Sequence, residues 1–274
     1  MQVNTFIIGV QKAGTTSMYE WLIQHPEICG EIFLKEYPFF TNDDLYHQGT
    51  EVLESQFKCS TEPIRISGCV DYFQDEIGLD RIKKYAPEAK LILILREPLD
   101  RIRSAHRFLI QLGKEEHKDL NIAVRKDPEY LNRSLYADSL KTLYKHFNKA
   151  QVKVVLFEKM AQHPQYVLKE IYDFLEVDPN FTAKTFNANK TEEARFKAVN
   201  RLLYSDNKNT LFRKVARAIL PPALRVKFRR AIRSANTKKS LVSADKPTVS
   251  EEITKQLEAD IAELKNHLDL EGYW

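Results

Sequence analysis

The amino-acid sequence predicts an α/β fold of three layers, a central parallel sheet flanked by helices. Short apolar runs at 6–8, 28–33, 64–70, 91–95 and 152–157 alternate with longer stretches of helical periodicity. One of them, Leu91-Ile-Leu-Ile-Leu95, is five large apolar residues in a row, the mark of a strand buried on both faces. The chain also opens on a strand, a small polar loop and a helix: Thr5-Phe-Ile-Ile-Gly-Val-Gln-Lys-Ala-Gly-Thr-Thr-Ser17.

That opening has the form of an anion cradle. Backbone N–H groups and the positive end of a helix dipole converge where the loop meets the helix. It comes close to G-x-x-x-x-G-K-[ST] and then departs. Gly9, Gly14 and Thr16 keep the spacing, but Thr15 stands where the lysine belongs, and the lysine is inside the loop at Lys12. The pattern predicts a P-loop-type fold whose anion site is not an ordinary ATP site. A plain strand-to-helix turn is the bland alternative.

The first helix ends by His25-Pro26-Glu27, and a second strand is expected over 28–33. Next come Lys35-Glu-Tyr-Pro-Phe-Phe40, two charges beside an aromatic cluster at a strand end, where open α/β sheets bind ligands. A carboxylate partly desolvated there suits a general base, and a surface ion pair is the equal alternative. One short helix is expected over 47–57, a strand over 64–70 followed by Asp71-Tyr72-Phe73, and a helix over 76–85 closed by Pro87. Arg96 stands at the end of the 91–95 strand, and Pro98 suits the first turn of the next helix. Ser104 lies nearly two turns along it. An arginine at a strand terminus with a hydroxyl on the following helix suits a second phosphate. A solvated basic face accounts for Arg101 and Arg107. A long helix over 128–147, a strand over 152–157 and a mostly helical 158–174 complete the alternation.

The 274 residues suffice for one large α/β domain or two small ones, and 43% hydrophobic with 29% charged residues is ordinary globular composition. Cys29, Cys59 and Cys69 show no metal spacing and no disulfide framework, and the odd count favours a reducing compartment. No signal-peptide pattern and no apolar run of membrane-spanning length is expected, which points to a cytoplasmic protein. The net charge of +4 is uneven: eleven Lys/Arg and no acid lie within 207–244, against 31 basic and 38 acidic residues elsewhere. In 208–239 apolar residues interleave with those charges. This reads as a basic lid over an anionic acceptor, as peripheral membrane contact, or as a solvated helix pair. Nucleic acid is not an expected partner, since no recognition fold is apparent.

These residues together resemble the sulfotransferases that use 3′-phosphoadenosine 5′-phosphosulfate (PAPS), above all the heparan sulfate 3-O- and N-sulfotransferases and the bacterial sulfotransferase domains. Gln11-Lys-Ala-Gly-Thr-Thr-Ser17 resembles their 5′-phosphosulfate loop. Leu95-Arg-Glu-Pro-Leu-Asp-Arg-Ile-Arg-Ser104 is similar to their 3′-phosphate motif. Lys35-Glu36 resembles the segment carrying the catalytic base, Leu131-Asn-Arg-Ser-Leu-Tyr136 a cleft-lining helix, and Gly272-Tyr-Trp274 the end of the closing helix. The resemblance implies one sulfotransferase domain over 1–274, with a basic insertion or lid at about 200–245 and a closing helix at about 249–270. It implies PAPS as sulfuryl donor without a metal, and as acceptor a hydroxyl or amine of a carbohydrate, lipid or small metabolite, a glycan or other anionic molecule among them. Glu36 and Lys12 are then catalytic. Lys12, Ala13, Gly14, Thr15, Thr16, Ser17, Arg96, Ser104 and Arg195 hold the donor, and Lys35 and Tyr72 meet the acceptor. Two departures limit the transfer. Ser67-Gly68-Cys69-Val70 stand where the glycan enzymes carry a Glu-Lys pair, and their braced C-terminal loop is missing. The rival class is a P-loop nucleotide kinase or other phosphotransferase; a second rival is a nucleotide-binding scaffold with a dead site.

Overall fold

A computed structural model of the chain describes residues 2–32, 35–186, 192–194, 237–239 and 247–274. The chain divides into two compact units. The first comprises Met1–Ile102, Leu131–Asn189 and Glu251–Trp274, the second Arg103–Tyr130 and Lys190–Ser250.

The first unit is built on five strands: β1 (Thr5–Gly9), β2 (Ile28–Gly30), β3 (Ile64–Gly68), β4 (Lys90–Leu95) and β5 (Val152–Leu156). They pair in the order β2-β3-β1-β4-β5, all parallel, with Phe6 opposite Ser67 on one side and Leu91 on the other. Phe6, Ile7 and Ile8 of β1 and Leu91 to Leu95 of β4 are fully buried, as continuous apolar runs in a two-sided sheet must be. β1 is central, and the chain leaves it first toward β2 and later, through β4, toward the other edge. Such a reversal opens a crevice at the strands' carboxyl ends.

The helices follow the sequence with instructive breaks. α1 is Thr15–Leu22. The single helix expected over 47–57 is two, α2 (Asp43–Tyr46) and α3 (Thr50–Glu54), because Gly49 between them has φ +94°. α4 (Glu76–Tyr85) is as expected, capped by Asp75, whose carboxylate accepts from the Gly78 amide at 2.7 Å. α5 (Pro98–Leu112) starts under a cap from Glu97, whose two oxygens accept from the amides of Leu99 and Asp100. Arg101, expected on a solvated face, is instead buried. The long helix expected over 128–147 is also broken. α7 (Glu129–Asn132) stops, a turn follows, and α8 (Ala137–His146) restarts. Asp260 supplies that restart from the C-terminal helix, accepting from the amides of Tyr136 and Ala137 at 2.7 and 3.1 Å. The 158–174 stretch divides at Pro164 into α9 (Phe157–Gln162) and α10 (Pro164–Leu175), since proline at N1 has no amide to continue the ladder. The C-terminal helix, α11, runs Glu251–Leu264.

Two cysteines depart from the reading of the sequence. Cys29 and Cys59 form a disulfide that ties β2 to the stretch before β3, and Cys69 is a buried free thiol. The pairing is long-range: the two positions meet only once β2 lies beside β3, so spacing along the chain carries no trace of it.

In the second unit, α6 (Leu120–Lys126) begins at Asp119, whose side chain accepts from the Ile122 amide. Asn121 and Arg103 donate to the backbone carbonyls of Thr248 and Pro247. A short antiparallel pair, β6 (Glu192–Ala194) and β7 (Thr237–Lys239), places Glu192 opposite Lys239. The expected basic insertion at 200–245 falls outside the described residues, β7 apart, and so does Arg195.

Candidate active site

The loop between β1 and α1 is held from below. The Val10 amide donates to the Ile94 carbonyl at 2.8 Å, extending β1's pairing with β4, and the Ala13 amide closes a turn on Val10. Lys12 and Gly14 both take the left-handed conformation, at φ +73° and +81°. Gly14 occupies the N-cap of α1 and no side chain caps the helix there. The first amides of a helix have no carbonyl partner within it. With the dipole behind them, the amides at the start of α1 have the chemistry to attract an anion. Glycine is required at 14 for packing as well. A Cβ there would lie 2.5 Å from Met160 Cε and 3.0 Å from the Phe157 ring.

Arg96, from the end of β4, is wired to this loop. Its Nη1 donates to the Lys12 carbonyl at 3.0 Å, its guanidinium lies 4.5 Å over the Phe157 ring, and the Tyr136 hydroxyl donates to its carbonyl at 3.0 Å. Two residues that the sequence separates by 84 positions are thereby joined through one backbone oxygen. Ser104, expected to work with Arg96, lies on α5 within the second unit.

On the other side of the loop, Lys35 and Glu36 follow β2. The Lys35 ammonium donates to Thr15 Oγ1 at 3.0 Å and to Glu36 Oε1 at 2.5 Å. The second oxygen of Glu36 accepts from the Val70 amide at 3.1 Å, beyond the end of β3. The carboxylate is thus fixed in orientation by a cation and an amide. Exposure separates the roles of the pair: the Lys35 side chain is 9% exposed, that of Glu36 46%. Glu36 can meet an incoming molecule, whereas Lys35 is committed to bridging the loop and the carboxylate. Its stem runs over Gly68, where a Cβ would come within 3.2 Å of Lys35 Cγ. Asp71, next to Val70, pairs with Arg133 at 2.7 Å.

Tyr72, expected to touch an acceptor, is fully buried, and its hydroxyl donates to the Tyr37 carbonyl at 2.8 Å. Its place is in the core, holding the aromatic segment after Glu36 against β3. A phenol that follows a strand by four residues can turn either way, and the pattern of the sequence does not say which.

Two features escaped the reading of the sequence. One is Glu31, just past β2, whose carboxyl accepts from Ser67 Oγ at 2.5 Å, with burial pushing it up to about 9. A lone acid in an apolar stretch carries no signal of its own. The other is a cavity of about 220 Å³ beside the loop, lined by Ser17, Trp21, Phe157, Met160, Pro164 and Phe186. The Trp21 indole donates to the Phe186 carbonyl at 2.9 Å and fixes its rim. Its residues come from three distant segments, α1, the 157–164 stretch and Phe186, and nothing in the sequence brings them together.

Among the described residues no group of three or more His, Cys, Asp or Glu could hold a metal ion, and no helix is long and apolar enough to cross a membrane.

A family model described as "Sulfotransferase domain" matches residues 2–265. The chain is 29% identical over 210 residues to the mouse (Mus musculus) bifunctional heparan sulfate N-deacetylase/N-sulfotransferase 4, covering 67% of this chain and 24% of that protein. It is also 29% identical over 198 residues to the human (Homo sapiens) heparan sulfate glucosamine 3-O-sulfotransferase 5, covering 68% of this chain and 56% of the other. The match therefore spans about a quarter of the first relative and just over half of the second. Among solved structures, a sulfotransferase from Alicyclobacillus acidocaldarius shares the fold with a TM-score of 0.62 at 23% identity, over 83% of this chain and 95% of that one.

Proposed function

The chain belongs to the sulfotransferase domain family, and on that premise we propose that it moves a sulfuryl group from PAPS to an acceptor hydroxyl or amine. The observation that carries this reading is the Lys35 ammonium, which spans Thr15 of the anion loop and the Glu36 carboxylate. A donor group held by the loop and a base facing the acceptor are thereby kept one side chain apart.

The roles proposed are those the family resemblance implies. The amides and hydroxyls of Ala13, Gly14, Thr15, Thr16 and Ser17 hold the 5′-phosphosulfate. Arg96 and Ser104 hold the 3′-phosphate, with Arg195 as a further contact. The cavity between Trp21 and Phe157 suits the flat adenine base, which stacks on aromatic faces. Glu36 accepts the proton of the acceptor as its oxygen or nitrogen bonds to sulfur. The bond from sulfur to the bridging oxygen breaks, its electron pair stays on the phosphate, and the Lys12 ammonium stabilises the charge that collects there. The sulfuryl group carries less charge than a phosphoryl group, and fixed cations and amides suffice to clamp it.

The two relatives are named for heparan sulfate, and a glycan or other anionic acceptor is our proposal here. A heparan-type acceptor is not carried over, because Ser67-Gly68-Cys69-Val70 stand where the glycan enzymes of the resemblance carry a Glu-Lys pair. A cytoplasmic location is likewise proposed, with a direct check. The Cys29–Cys59 pair is the check: thiol trapping in the native cells should find both as free thiols, and a closed bridge, as in the structure, would place the chain in an oxidising compartment instead.

The test is incubation with [35S]PAPS and a panel of glycan, lipid and small-molecule acceptors. Labelled acceptor with one 3′,5′-ADP per turnover is expected. Magnesium-dependent turnover of ATP with no sulfuryl transfer would instead establish the phosphotransferase reading.

A further inference from the structure

Glu31 lies behind the two residues that join the loop to the base. Its amide donates to Tyr19 Oη at 2.6 Å, and its backbone bridges to Phe57. The side chain is turned inward from this fixed backbone. Oε1 is held by Ser67 Oγ at 2.5 Å, whereas Oε2 is shielded from solvent and has no hydrogen-bond partner among the described residues.

The groups that face this carboxyl are Tyr19 from α1, Lys35, Glu36 and Tyr37 from its own segment, and Ser67 and Tyr72 from β3 and the turn after it. Lys35 is the one cation of that set, and its ammonium is given to Glu36 and Thr15. An ionised carboxylate in a shielded place with no cation of its own is costly, and holding the proton is the cheaper state. Burial accordingly pushes Glu31 up to about 9, and the charge on Glu36 acts in the same direction, with Ser67 and Lys35 pulling the other way.

We propose that Glu31 is a positioning residue for the transfer: it stands behind the base as a neutral carboxylic acid, and its lack of charge leaves the Lys35 ammonium to Thr15 and Glu36. This rests on the sulfuryl-transfer reading. When Glu31 loses its proton, Lys35 faces two carboxylates, and the link between loop and base is drawn inward. Turnover then falls as the pH rises through the ionisation of Glu31.

The test has two arms on the full-length chain. The first is a 13C NMR titration of protein labelled at the glutamate carboxyls. A resonance that titrates near pH 9 and is missing in Glu31→Gln supports the assignment; a Glu31 resonance titrating in the ordinary carboxylate range overturns it. The second is sulfuryl release from [35S]PAPS between pH 7 and 10. Glu31→Ala should lower kcat at pH 7.5. Glu31→Gln, a neutral isostere, should recover most of that loss and carry the alkaline limb up by a pH unit or more, with KM for PAPS unchanged. A Gln variant whose limb coincides with that of the wild type, or which recovers nothing relative to Ala, overturns the proposal. The two levels are separable. Turnover with an ordinary Glu31 titration removes only the positioning role. A wild-type chain that binds 3′,5′-ADP but moves no sulfuryl group removes the transfer reading itself, and this role with it, even where Glu31 titrates near pH 9.

Discussion

Gly14→Ala puts the anion loop under a defined load. The substitution adds one methyl group at a backbone held at φ +81°. An L side chain in that left-handed region costs roughly 1–2 kcal/mol. The methyl would also meet Met160 Cε at 2.5 Å and the Phe157 ring at 3.0 and 3.1 Å. The methionine end is flexible and can move aside. The ring is stiffer, because it lines the cavity beside the loop and carries the Arg96 guanidinium. Overpacking of this kind costs typically about 1–3 kcal/mol, so the two contributions together predict a loss of about 2–5 kcal/mol. Urea denaturation of the full chain measures it, and calorimetric titration with 3′,5′-ADP reports whether the shift in Phe157 reaches Arg96. Adding Met160→Ala separates the two parts. The double variant should show a favourable coupling of about 1 kcal/mol, since the clash is relieved and the backbone strain remains. Stability within about 0.5 kcal/mol of the wild type, together with unchanged 3′,5′-ADP affinity, would refute the reasoning, because neither the left-handed backbone nor the close contact would then be real.

Three further outcomes are expected. Glu36→Gln should lower kcat by about 10²–10⁴-fold, the range of a lost general base, and leave 3′,5′-ADP binding in place; loss of binding along with activity would make Glu36 a structural residue. Arg96→Ala should weaken 3′,5′-ADP far more than 5′-AMP by calorimetry, and an equal loss of both would exclude a 3′-phosphate contact. Glu31 should also leave a mark on stability. Its folded value of about 9 is raised from the ordinary 4.5, so between those pH values the folded chain keeps a proton that the unfolded chain releases. Stability from this group is therefore full below the unfolded value and declines as the pH rises toward 9. Glu31→Gln lacks that decline, and urea midpoints at pH 5 and pH 8 should show the variant gaining on the wild type; a constant difference would mean that Glu31 ionises alike in both states.

The fold was largely legible because its signals are local. A run such as Leu91-Ile-Leu-Ile-Leu95 has no soluble alternative to a strand covered on both faces, and five such runs alternating with helices leave few topologies. The loop at Lys12 to Ser17, Arg96 and Glu36 could be put forward as site residues for a related reason: phosphate cradles and strand-end charges are read over a few residues. The helix boundaries that failed did so through contacts from elsewhere. The 128–147 stretch breaks where Asp260, more than a hundred residues on, takes the amides of Tyr136 and Ala137.

By itself the sequence determined the parallel sheet and the strand, loop and helix with the lysine inside the loop, and it put Glu36 forward as the proposed base. Each is set by residue type and short spacing, through burial of apolar runs and the orphan amides of a helix start. The tertiary structure decided what those parts are wired to. It bridged Cys29 to Cys59, sank Tyr72 into the core, joined Arg96 to the Lys12 carbonyl, and placed Glu31 behind Lys35 and Glu36. Those pairings depend on which strands lie side by side, and parallel neighbours are separated by whole helices. Their partners can be found only after the sheet order is known.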